Sequence, residues 1–150
     1  MQRLLILLIA PILLAACATP APTTAELAAK DDSLYQALGQ QQGIDLLAGE
    51  LVFRFISDTR IAHYFADTDL DRLEQKIAEQ VCMLAGGPCT YTGDDMRTVH
   101  EGMNLTETDF NAMVEDAQLA MTAISIPEAA QNRLLAKLAK FRGVVLGREE

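Results

Sequence analysis

The sequence has no tryptophan, and its five phenylalanines and three tyrosines are only 5% of 150 residues. A large aromatic core is therefore excluded. Basic residues are scarce: 12 Lys and Arg stand against 21 Asp and Glu, for a net charge of −9. Phosphate binding needs basic patches, so no nucleic-acid partner is expected. The acidity instead keeps a compact domain soluble. No segment of useful length alternates apolar and polar residues, which argues against a sheet. There are only three cysteines, with no Cys-x-x-Cys spacing and no second Cys/His cluster. A zinc site built on them is not expected. There is no internal repeat and no sign of a second domain.

Half of the residues are apolar, enough for one compact core. Leu4 to Ala16 is an almost unbroken apolar run after Arg3. As a helix it rises about 20 Å, too short for a hydrocarbon core of roughly 30 Å. It ends in Leu14-Ala15-Ala16-Cys17, small residues of the kind that precede a signal cleavage point. This ending resembles the lipobox of bacterial lipoproteins. The resemblance implies a signal peptide over 1–16 and a lipid-modified Cys17 as first residue of the mature chain. The other reading is an ordinary secretory signal with an incidental cysteine. Several acyl chains on Cys17 would anchor a soluble domain to the membrane, placing it in the bacterial cell envelope and facing the periplasm or another extracytoplasmic space. Residues 17–31, with Pro20, Pro22 and small polar residues, read as a tether. The domain is expected over 32–150. Cleavage removes only Arg3 among the charged residues, so the mature charge becomes about −10.

The domain's periodicity is helical throughout, giving an all-α expectation. Ser33 is placed to cap a short helix through Leu34, Tyr35 and Leu38, ended by Gly39. Gly43 opens a second helix with apolar positions at 44, 47, 51, 52, 53, 55 and 56, expected to be deeply buried. A connector carries Ile61, His63, Tyr64 and Phe65. Asp67 or Thr68 then caps a helix with its stripe at 70, 73, 77, 81 and 84. Thr106 and Asp109 form a capping-box pair before a long helix through 110, 113, 114, 117, 121 and 124. Pro127 starts the last helix, with Leu134, Leu138, Phe141 and Val145 on one side.

Gly86 to His100 interrupts this pattern for longer than a plain helical bundle requires. Two glycines stop a helix, the second expected to take the positive φ. Pro88 blocks its continuation. Gly93-Asp94 restarts the chain as a short helix that places Met96, Arg97 and His100 on one face. An imidazole there can ligate a metal, and the arginine can pair with an acid group of the same ligand. Taken alone, a lone histidine is more often a hydrogen-bonded core or surface residue.

The run Gly86-Gly87-Pro88, Tyr91-Thr92-Gly93, Met96-Arg97 and His100 resembles that of group 1 truncated haemoglobins. Leu34-Tyr35 with Gly39 and Gly43-Ile44, Phe65 after Tyr64, and Leu105 to Phe110 extend the resemblance over 33–145. The family's usual opening double glycine is here Gly39-Gln40. The resemblance implies a two-over-two helical sandwich around haem b, with His100 as the proximal iron ligand. Its other ring nitrogen should donate to a backbone carbonyl. Arg97 and Arg72 would meet the haem propionates; for Arg72 a solvated helix charge is the equal alternative. Phe65, Leu73, Tyr91, Met96, Leu105, Phe110 and Met113 would line the apolar slot.

The distal side departs from the family. Where many relatives carry a tyrosine that donates to the bound gas, this chain has Val52; where a glutamine often assists, it has Ile77. Losing such a donor costs roughly 1.5 to 3 kcal/mol, so weak oxygen retention is expected. Lys76 and Gln80 are the polar residues placed to compensate, and His63 is a weaker third. Lysine ligates iron only as the neutral amine and more readily extends to water. Cys82 and Cys89 would either pair in an oxidising compartment or remain two reduced thiols. The implied function is a haem protein that reversibly binds a diatomic gas such as oxygen, CO or NO. The alternatives are a haem-based redox enzyme (peroxidase or NO detoxification) fed by an unknown electron donor, and a globin-fold interaction module without haem.

Overall fold

A computed structural model of the chain describes residues 31–148. The expected signal peptide and most of the expected tether, Cys17 included, lie outside the described residues. Among these, every regular element is helical. They are α1 (Ser33–Ala37), α2 (Gln40–Ser57), α3 (Leu70–Leu84), α4 (Met96–His100), α5 (Glu107–Ala123), α6 (Glu128–Leu138) and α7 (Arg142–Val145), with 3-10 turns at Ala62–Phe65 and Ala139–Phe141. α2 packs on α3 and α5, and α6 packs on α1, α3 and α5. The core between them is aliphatic, led by Leu34, Ile44, Leu47, Ile61, Met121 and Leu134. This agrees with the shortage of aromatics in the sequence.

Several boundaries differ from those read in the sequence. Asp32 rather than Ser33 precedes α1. α2 starts at Gln40, three residues before Gly43, because Gly39 and Gln40 both take left-handed φ values of +87° and +58°. α3 is capped by Asp69, whose side chain accepts from the Arg72 N–H, and not by Asp67 or Thr68. α4 is capped by Asp95, which accepts from Arg97 and Thr98 N–H groups. The capping box of Thr106 and Asp109 forms as expected. The last helix breaks after Leu138, and α7 turns away to pack on α4.

Burial also corrects the pattern of α2. Ile44, Leu47, Ala48, Leu51, Val52 and Phe55 face inward at helical spacing. Phe53 and Leu46, however, are 61% and 60% exposed, and Ile56 is exposed too. The helix is buried on one face only.

The end of α3 positions everything downstream. The Gly87 N–H donates to the Cys82 carbonyl and the Gly86 N–H to the Met83 carbonyl, the paired bonds of a Schellman ending. The two glycines exchange the roles expected of them. Gly86 takes the positive φ, +89°. Gly87 is required for space: a Cβ there would lie 2.6 Å from both Cys82 Sγ and the Tyr35 ring.

Candidate haem site

α3 carries two stripes. The one made of Ala78, Val81, Cys82 and Ala85 is buried in the core. The other, Leu73, Ile77, Gln80 and Leu84, is only half-buried, and its spacing of i, i+4, i+7 and i+11 puts it on one face. The sequence merged these two stripes, because apolar residues stand on both. Phe65, Ile77 and Met113 are likewise half-buried against the edge of the core, and Phe65 stacks on Phe55 with ring centres 5.6 Å apart. Val52, Leu105 and Val145 are buried but stand outside the contiguous core. Apolar surface from α2, α3, α5 and the 3-10 turn is therefore left incompletely covered.

α4 carries His100, half-buried. Its Nδ1 lies 2.7 Å from the carbonyl oxygen of Met96, one turn earlier. A carbonyl only accepts, so Nδ1 carries a proton, and in the neutral imidazole Nε2 then keeps its lone pair. This is the orientation a ligating histidine needs. A cavity of about 330 Å³ lies against His100, lined also by Arg97, Leu105, Val144, Val145 and Gly147. Its C-terminal wall is tied to α5 by Glu107, which pairs with both Arg142 and Arg148. Arg142 also lies over the Phe110 ring, 5.8 Å from its centre.

Polar groups around the apolar surface are largely committed. Tyr64 Oη donates to Asp109 Oδ2 at 3.0 Å. Burial, followed by that carboxylate, holds the Tyr64 pKa above its ordinary value. Tyr91 is half-buried, and its Oη donates to the Asp94 carbonyl at 2.8 Å. Burial raises its pKa as well. Arg72 and Arg97 are exposed, and His63 is exposed and lies against the Tyr64 ring.

Lys76, one of the polar residues placed to compensate, is engaged by its own helix and the following loop. Its Nζ donates to both carboxylate oxygens of Glu79 at 2.9 Å and to Thr92 Oγ1. Glu79 also accepts from the N–H and hydroxyl of Thr92. Hydrogen bonds from Lys76 and Thr92 hold its carboxyl at a pKa of about 2. The sequence reading missed Glu79 entirely. Its three-residue spacing from Lys76 was visible, but its grip on the loop was not. Gln80 donates from Nε2 to Met96 Sδ at 3.1 Å. Cys82 and Cys89 are joined in a disulfide, their Cα atoms 5.9 Å apart.

The donor set suits haem. Among the described residues no group of three or more His, Cys, Asp or Glu side chains converges to hold a bare ion. A haem iron takes its equatorial nitrogens from the porphyrin and an axial ligand, in globins an imidazole, from the protein. His100 stands beside a cavity walled by Leu105, Val144, Val145 and Leu146 together with Arg97, Glu101 and Asn104.

An all-helical fold with incompletely covered apolar surface and a histidine on a short helix fits a globin class of architecture. Residues 33–146 match the bacterial-like globin family. A group 1 truncated hemoglobin of Synechocystis sp. is 30% identical over 115 residues, 74% of this chain and 90% of that one. Another from Tetrahymena pyriformis is 27% identical over 119 residues, 79% of this chain and 98% of its own. The solved Fe(III) form of the Tetrahymena pyriformis truncated hemoglobin superposes with a TM-score of 0.73 at 26% identity, over 75% of this chain and 97% of that one. The 2/2 hemoglobin of a Synechococcus species, solved in the cyanomet state with covalently attached heme, has a TM-score of 0.72 at 24% identity, over 77% and 98%. The chain belongs to the bacterial-like globin family, among relatives that are group 1 truncated haemoglobins.

Proposed function

We propose that this protein binds haem b through His100 and reversibly holds a diatomic gas at the opposite face of the iron. The observation that carries the reading is the His100 Nδ1 to Met96 carbonyl hydrogen bond. It fixes the ring and leaves Nε2 as the ligating nitrogen. When bound, haem supplies the open coordination position for the gas. The protein's part is to orient His100, to keep water out with Val52, Leu73, Ile77, Phe65, Met113 and Leu105, and to offer Arg97 and Arg72 to the propionates. The residues at 52, 73 and 77 supply no hydrogen-bond donor, so retention of oxygen rests on whatever other donor reaches the gas.

The test is reconstitution of the mature chain with hemin. A Soret band is expected in the wild type and lost in His100→Ala. A normal band in that variant would falsify the axial role. The spectrum of the reduced protein with and without CO reports whether the sixth position is open.

The lipobox-like run before Cys17 supports a second element of the proposal: an envelope-anchored protein. Cys17→Ser is expected to release it from the membrane fraction. Retention of that variant would point to another anchor.

A further inference from the structure

We infer that Glu107 is the latch of a gate at the His100 cavity, with the segment 142–148 as the moving part. While both arginines of that segment stay on Glu107, the site is closed and haem is retained. The inference rests on the haem reading above.

The cavity against His100 owes much of its lining to one short piece of chain. Val144, Val145, Leu146 and Gly147, four consecutive residues, line its 330 Å³ together with His100, Arg97 and Leu105. Charge brackets this piece. Arg142 stands at its start and Arg148 directly after Gly147. Both pair with Glu107 on α5, Arg142 with Oε2 and Arg148 with Oε1 at 2.5 Å. One carboxylate therefore pins both ends of the lining segment, each oxygen serving one end.

Little in the segment itself keeps it in place. α7 has four residues, Gly143 among them, and a helix this short does not persist away from its contacts. It packs on α4 and on the 3-10 turn before it, with Val145 buried. Its far edge is open: Gly147 has a φ of +66°, and a Cβ there would meet nothing within 4 Å. The tie to α5 is made by charged side chains, Arg142 also lying over the Phe110 ring. Arg142, Arg148 and Glu107 are about half exposed, so water and salt reach the latch. Such pairs are individually weak, which suits a closure that has to open for haem to enter or leave.

The experiment compares haem-loaded wild type with two variants, at about 0.02 and 0.5 M sodium chloride. One variant is Glu107→Gln. The other combines Arg142→Gln with Arg148→Gln. Hemin release is followed by transfer to an excess of a haem scavenger. In wild type it should speed up with salt. In both variants it should be about two- to tenfold faster at low salt, with most of the salt dependence gone. Hydrogen exchange on the same samples is the second readout. The amides of Leu146, Gly147 and Arg148 donate to carbonyls within the segment. They should exchange faster in both variants, while α6 keeps its wild-type protection. Wild-type release rates in both variants overturn the inference, as does faster exchange of the segment without faster release. Glu107 also stands in the first turn of α5, where a carboxylate favours the helix start. Faster release in Glu107→Gln but not in the arginine pair would place its action there, and the gate falls. A wild-type chain that takes up no hemin overturns the haem reading itself, and the gate with it.

Discussion

Glu79 holds Thr92 at two points, accepting from its backbone N–H at 3.0 Å and from its hydroxyl at 2.8 Å. Thr92 stands in the loop that leads to α4, so a carboxylate on α3 sets where the His100-bearing helix begins.

This latch has a pH dependence of definite sign. The folded pKa of Glu79 is about 2, lowered from an ordinary 4.5 by Lys76 and Thr92. A carboxylate with a lowered folded pKa contributes stability that is complete above 4.5 and lost as pH falls towards 2. Glu79→Gln is expected to be less stable than wild type at neutral pH. The difference should shrink through that window. Urea midpoints measured at several pH values from 7 down to 2 check it; a gap that does not depend on pH would place the latch elsewhere.

Gly87→Ala tests the knot beneath the loop. The new methyl would sit 2.6 Å from Cys82 Sγ and the Tyr35 ring, both in the core. Overpacking of this kind costs about 1–3 kcal/mol. The urea midpoint should fall, with the slope unchanged.

Gln40→Gly is expected to stabilise. Gln40 has a φ of +58° directly after Gly39 at +87°, and a left-handed conformation disfavours any residue with a Cβ. Relief of that strain should outweigh the loss of the Gln40 side-chain bond to Gln36, which is exposed. A gain of about 0.5–1 kcal/mol in urea denaturation is the anticipated result. A loss would show that the bond to Gln36 matters more.

Asp116 is 5% exposed, and its Oδ2 has no hydrogen-bond partner. Burial raises its pKa, with Asp58 adding to the effect and Arg60 and Arg54 opposing it. A carboxyl with a raised folded pKa costs nothing below its unfolded value of about 3.8 and destabilises as pH rises past it. Asp116→Asn should therefore exceed wild type in stability at pH 7, with the advantage fading in acid. Thermal melts at pH 7 and pH 3.5 would reveal the difference; equal gains at both would remove the charge from the explanation.

What could be read in the sequence was local. The stop at Gly86-Gly87, the short helix through His100 and the Thr106–Asp109 capping box all follow from neighbours within a few residues. The Gly39-Gln40 departure from a double glycine also marked a real site, the second left-handed residue. Long-range relationships left no trace. Glu79 meets Thr92 across 13 residues, and Arg142 and Arg148 converge on Glu107 from the far end of the chain. The stripe of α3 that faces the core could not be told from the stripe that faces the slot, since both carry apolar residues. Phe53 and Ile56 misled in the opposite direction: hydrophobicity suggested burial, and the helix turned them outward.

The partner of His100 Nδ1 has a chemical consequence of its own. A backbone carbonyl leaves the proton on the ring, where a carboxylate would draw it away and give the imidazole anionic character. A metal held at Nε2 would then meet a neutral donor with little electron push. Strong push is what a thiolate supplies when the bond between two oxygen atoms is to be broken. Under the haem reading proposed above, the carbonyl of Met96 would favour taking up a small ligand and giving it back intact.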